Sequence, residues 1–105
     1  MAQSLAKILV HLVFSTKNRE QILGDDIHLE LHAYMNSVFG AMDSPAIIIN
    51  SVEEHIHILF RLSKNNPLCK VIEEVKTSTS KWLKTKEATY AQFHWQNGYG
   101  AFSVS

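Results

Sequence analysis

Two stretches of this chain carry apolar residues at helical spacing along one side only, and that pattern limits the fold more than any other. In the first, Ile27, Leu31, Tyr34, Met35, Val38, Phe39 and Met42 share one stripe behind Gly24-Asp25-Asp26, where Asp25 is the expected N-cap. In the second, Leu68, Val71, Ile72, Val75, Thr79, Trp82 and Leu83 follow Asn66-Pro67, an N-cap and a proline suited to the first helical position. Each helix has one face to bury. Around them lie four runs of strand character: Lys7 to Ser15, Ala46 to Asn50, His55 to Leu62, and Ala101 to Ser105, the last with Phe102 and Val104 expected inward. The order is strand, helix, strand, strand, helix, strand. A four-stranded antiparallel sheet with two helices on one face buries both stripes, so the expected fold is α+β, a ferredoxin-like sandwich. Residues 1–105 are too few for two cores and are expected to form a single domain.

That topology puts the first and third strands side by side in the middle and leaves one sheet face open. Residues two apart on a strand share a face, so His55 and His57 point one way while Ile56, Ile58 and Phe60 point the other. Two adjacent imidazoles suit a divalent metal, and with oxygen ligands added they can hold magnesium or manganese against a phosphate. The plainer reading is a pair of histidines on a wet sheet face. His11, on the outward side of the first strand, and Arg61 would join them, His11 as a third ligand, a phosphate contact or a structural residue. Thr77-Ser78-Thr79-Ser80-Lys81-Trp82 sets hydroxyls beside a lysine and an indole, groups that bind phosphate oxygens and stack on bases, unless Trp82 is simply core. His28 and His32 lie one turn apart but off the main stripe, and are expected in solvent.

Total charge decides little, with 10 Lys and Arg against 10 Asp and Glu. Its distribution says more. Residues 1–54 carry 3 basic and 7 acidic side chains, net −4, and residues 55–105 carry 7 basic and 3 acidic, net +4, so a polyanion is expected on surfaces built by the second half. The single cysteine, Cys69, excludes an internal disulfide and fits a reducing compartment. No leader pattern and no apolar run of membrane-spanning length is present, so the expectation is a cytoplasmic protein without a membrane partner.

Four segments, in order, carry a family resemblance: Val10-His11-Leu12-Val13-Phe14-Ser15-Thr16-Lys17-Asn18-Arg19, Glu54-His55-Ile56-His57-Ile58-Leu59, Val75-Lys76-Thr77-Ser78-Thr79-Ser80-Lys81-Trp82, and the stretch from Trp95 through Gly98-Tyr99-Gly100 to Ser105. Together they resemble the small tyrosine transposases of bacterial insertion sequences, the IS-two-hundred-like group of the HUH (histidine, hydrophobe, histidine) endonucleases. The resemblance implies a homodimer that cuts and rejoins hairpin-bearing single-stranded DNA. It implies a divalent ion, Mg2+ or Mn2+, on His55 and His57, and a tyrosine that attacks the phosphodiester to leave a 5'-phosphotyrosine. DNA contacts are expected from His11, Lys17, Arg19, Arg61, Lys76, Ser78, Ser80 and Lys81.

In the family the attacking tyrosine sits on a helix after the final strand. Tyr34, Tyr90 and Tyr99 all lie elsewhere. The expectation is therefore a shortened member that binds metal and hairpin DNA without nicking, the alternative being an inactive hairpin-binding protein or repressor. Two further readings are an RNA-recognition module, whose aromatic strand signature Gly98 to Val104 superficially resembles, and an interaction protein with an incidental His-x-His strand.

Overall fold

The computed structural model describes residues 8–104. Its elements are β1 (Ile8–Ser15), α1 (Asp25–Ala41), β2 (Ala46–Ser51), β3 (His55–Leu62), α2 (Leu68–Lys84) and β4 (Gly100–Val104), with 3-10 turns at Lys17–Arg19 and Ala88–Tyr90. Lys7 and Ser105, expected at strand ends, lie outside the described residues. The sheet order is β2-β3-β1-β4 and every pairing is antiparallel. The expected α+β sandwich is the one that forms.

Alternation on the two central strands builds the core. Val10, Leu12 and Phe14 of β1 and Ile56, Ile58 and Phe60 of β3 are all buried, and they meet Ile27, Leu31, Met35 and Phe39 of α1 and Val71, Ile72, Val75 and Leu83 of α2. Both helices therefore pack on one sheet face. Burying each such side chain stabilises the fold by roughly 1.5–3 kcal/mol, and Phe39 against Phe60, 4.8 Å between ring centroids, sits at the centre. Thr79 is the polar exception on the stripe. Its hydroxyl donates to the Val75 carbonyl at 2.7 Å and accepts the Trp95 indole N–H at 3.0 Å, so a buried hydroxyl and a buried indole satisfy each other.

Helix ends differ by one residue from expectation. Gly24, not Asp25, is the N-cap of α1, and Asp25 and Asp26 instead occupy its first turn, where carboxylates still favour the positive end of the helix dipole. Pro67 is the N-cap of α2, because its carbonyl accepts from the amides of Lys70 and Val71 while its missing N–H costs nothing there. Asn66 is released for another task. Its side-chain amide donates to the Met42 carbonyl at 2.8 Å, capping the end of α1. That end closes as a Schellman motif, with Asp43 at φ 53°, its amide on Gly40 and the amide of Ser44 on Phe39.

One strand is turned over relative to expectation. Phe102 and Val104 face outward, 62% and 42% exposed. Directly paired residues of an antiparallel ladder share a face, and Phe102 pairs with His11 while Val104 pairs with Leu9, both on the open side. Ala101, opposite Leu12, packs against the core instead.

Candidate functional site

Because β1 and β3 commit alternate residues to the helices, the remainder is presented on the open face: Leu9, His11, Val13 and Ser15 from one strand, His55, His57, Leu59 and Arg61 from the other. The register sets His57 opposite Val13 and His55 opposite Ser15. The His55 and His57 rings lie 4.8 Å apart between centroids, and His57 and His11 lie 5.4 Å apart. His57 thus stands between the other two. Its Nδ1 is 3.3 Å from Nε2 of His11. Burial first, then the neighbouring His55 and His11, push the His57 pKa below its usual 6.5, which favours the neutral, ligating form of the ring. Among the described residues Nδ1 of His55 is buried without a hydrogen-bond partner, and the Glu54 carboxylate approaches it to 3.8 Å. Glu54 lies just before β3, which lets its carboxylate turn toward the His55 ring.

The two histidines line a cleft of about 480 Å3 together with Ser15, Arg19, Asn97, Tyr99 and Phe102. Its rim is braced from three sides. Thr16, buried, binds its amide and hydroxyl to the Glu54 carbonyl at 2.8 and 3.2 Å and leads into the Lys17–Arg19 turn. There Asn18 and Arg19 both take left-handed backbone, φ 57° and 54°, a conformation that costs a non-glycine residue on the order of 1 kcal/mol. Gln96 holds that turn, its side chain accepting the Asn18 amide at 2.9 Å and its own amide donating to Ser15. From α2, Lys76 donates to the carbonyls of Gln96 at 2.7 Å and Gly98 at 2.9 Å, and burial lowers its pKa. Gly98 supplies the turn with φ 86°, open to glycine at no steric cost.

The expected DNA-contacting residues divide into groups. Arg19 and His11 lie at or beside the histidine cleft. Arg61 shares the open face, exposed, but its partner is Leu9, two rows from the Val13–His57 pair. Lys17 sits on the turn, exposed, with its amide on the His94 carbonyl. Lys76 is spent on the rim. Ser78 donates to Glu74 at 3.2 Å, Ser80 donates to the Phe93 carbonyl at 3.4 Å, and Lys81 is exposed, all three on the helix that covers the opposite sheet face from the histidines. Trp82 is not free to stack on a base as it stands: Tyr34 stacks on it at 5.1 Å and the Lys86 ammonium lies 4.8 Å from its ring centroid. His28 and His32 are also engaged, His28 with the Leu23 carbonyl and His32 with the Ser51 hydroxyl. Gln96, Asn97, Tyr99 and Phe102 are not among the expected site residues; their sequence signals are the glycine-flanked turn and their place in the Trp95 to Ser105 stretch that carries the resemblance, neither of which singles them out.

The donor set can be tested against a divalent ion. Two adjacent imidazoles, one biased to the neutral form and one with a carboxylate beside it, fit two positions of such an ion and leave the rest to oxygen ligands. Among the described residues no group of three His, Cys, Asp or Glu side chains is placed to hold a metal, so His11 does not complete a triad. Also among the described residues, no helix is long and apolar enough to cross a membrane.

Comparison with known proteins adds three findings. A family model described as "Transposase IS200 like" matches residues 4–105. A crystal structure described as a candidate transposase from Deinococcus radiodurans R1 superposes with a TM-score of 0.87 at 16% identity, covering 100% of this chain and 85% of that one. The structure of a REP-associated tyrosine transposase bound to a REP hairpin superposes with a TM-score of 0.71 at 14% identity, and this chain spans 61% of its length. No curated protein matches.

Proposed function

The chain belongs to the IS200-like transposase family, and from that premise we propose that it binds hairpin-bearing single-stranded DNA across its open sheet face, in the service of cutting and rejoining that DNA. The observation that carries this is the convergence of His55, His57 and Arg19 on one cleft of an uncovered sheet. The hairpin ligand of the structurally similar REP-associated transposase supports the substrate class.

In this reading His55 and His57 hold a divalent ion, Mg2+ or Mn2+, which when bound polarises the scissile phosphate and offsets charge on the leaving oxygen. The protein's own residues do the rest. Arg19, held by a strained turn, supplies a fixed positive charge to the phosphate beside the histidines. Tyr99 and Phe102, both exposed at the cleft, offer rings for a base to lie against. Lys76, Gln96 and Gly98 keep that rim in place. Arg61 and Lys17 extend the basic track along the open face and the turn, while Lys81, Ser78 and Ser80 would meet only DNA that wraps to the helix layer.

In this reading none of Tyr34, Tyr90 and Tyr99 is the attacking nucleophile. Tyr34 is stacked under Trp82, and Tyr90 is buried with its pKa raised, mainly by burial, so neither can reach a phosphate at the histidines. Tyr99 can reach the cleft but sits on a turn, where we give it substrate contact. A homodimer and a cytoplasmic setting complete the proposal.

The test is a hairpin-bearing single strand incubated with this chain and Mn2+. Binding without cleavage is expected, and replacing both His55 and His57 by Ala should abolish the metal dependence of binding. Cleavage that disappears in Tyr99→Phe would move the nucleophile into this chain. Absence of any preference for the hairpin over an unstructured strand would overturn the substrate assignment.

A further inference from the structure

We infer that His11 is a positioning residue for His57: its Nε2 accepts the Nδ1–H of His57 and so turns the bare Nε2 of His57 toward the cleft. This rests on the reading of His55 and His57 as metal ligands. A ligating histidine must present a lone pair, and which nitrogen carries the hydrogen is set by what the other one bonds.

Three observations converge on His11. Its Nε2 lies 3.3 Å from the His57 Nδ1, and it is the one hydrogen-bond partner of that ring among the described residues. The pairing is fixed by the sheet, since His11 sits opposite Leu59 and so lies diagonal to His57 on the same face of two central strands. Both rings are held by half-buried strand positions, and the planes of the two rings are only 29° apart, which limits how either can swing. The same arrangement argues against a third ligand. Among the described residues His11 does not form a metal-holding group with His55 and His57, and a ring whose Nε2 lone pair accepts the hydrogen bond from His57 has none left there for an ion.

The division of roles between the two histidines then differs. His57 is oriented by the His11 imidazole, whereas Nδ1 of His55, buried, has among the described residues no hydrogen-bond partner and the Glu54 carboxylate at 3.8 Å. His57 is therefore the pre-set ligand, and His55 the one that must still adjust.

The experiment uses the full chain without metal, with long-range 1H–15N correlation to read the His57 tautomer, and then Mn2+ titration followed by the EPR signal of the free ion. Wild type should show His57 protonated on Nδ1. In His11→Ala the population should move toward the Nε2–H form, and Mn2+ affinity should fall by about tenfold to a hundredfold. His11→Gln, whose side-chain oxygen can accept the same hydrogen, should restore the Nδ1–H tautomer and most of the affinity. An unchanged tautomer in His11→Ala, or protonation of wild-type His57 on Nε2, would overturn the proposal. The tautomer is read without metal, so a wild type that binds no Mn2+ but shows the Nδ1–H form would sink the metal assignment alone.

Discussion

Single residues at the cleft rim carry conformations that the surrounding bonds have to hold. Gly98 has φ 86° with nothing within 4 Å of where a Cβ would stand, so Gly98→Ala meets no clash and its cost is purely backbone, about 1–2 kcal/mol. Thermal unfolding should register that loss, while Mn2+ binding at His55 and His57 should persist. Lys76 offers a contrast. Lys76→Met keeps an unbranched stem of similar length but removes the ammonium that lies 5.7 Å from the Phe14 ring centroid and makes the two bonds to Gln96 and Gly98, for an expected loss of about 1–2 kcal/mol. Amide exchange should quicken from Gln96 to Gly100 and stay unchanged in α1. If hairpin binding fell in this variant while exchange at the rim did not change, Lys76 would be a direct phosphate contact after all. The histidine pair was legible from spacing alone, because strand periodicity fixes which side chains share a face. The rim was not, since backbone carbonyls that recruit a lysine leave no trace in residue type.

At the scale of elements, sequence periodicity placed both helices and the two central strands on their correct faces. It failed on β4 for a definite reason. Phe102 and Val104 look like core residues by hydrophobicity, but β4 takes its facing from the β1 ladder, where His11 and Leu9 already point outward. The caps show the same limit at one-residue resolution: Asn66 has cap chemistry, yet it spends its amide on the end of α1. Asn66→Ala should therefore destabilise the α1 terminus, by about 1 kcal/mol, with faster exchange at Asp43 and Ser44 and little change at the first turn of α2. Between elements, Thr79→Val keeps the volume on the α2 stripe but strands the Trp95 indole N–H in the core. An unpaired buried donor costs about 1–3 kcal/mol, enough to lower the melting temperature by several degrees in a domain of this size. A Trp95 fluorescence spectrum unchanged from wild type would contradict that bond.

The whole molecule couples its stability to pH through histidines held neutral. Burial, and secondarily His28, lower the His32 pKa from 6.5 in the folded chain. Above about pH 6.5 both folded and unfolded forms are neutral and the contribution is intact; as pH falls below that value the unfolded chain takes up the proton first, so stability drops. His32→Gln, able to keep a bond to Ser51, should flatten the fall in melting temperature between pH 6.5 and the lower folded-state pKa. The central claim concerns the molecule's two faces: one sheet side is filled by helices, and the other gathers His55 and His57 into a cleft that we propose takes a divalent ion and a DNA backbone. Adding substoichiometric Mn2+ to the 15N-labelled chain and mapping paramagnetic broadening tests this most directly. Broadening centred on His55, His57, Ser15 and Tyr99, with Ser78 and Lys81 of α2 spared, is the result that agrees. Broadening centred on His28, His32 or the outer surface of the helices would contradict it.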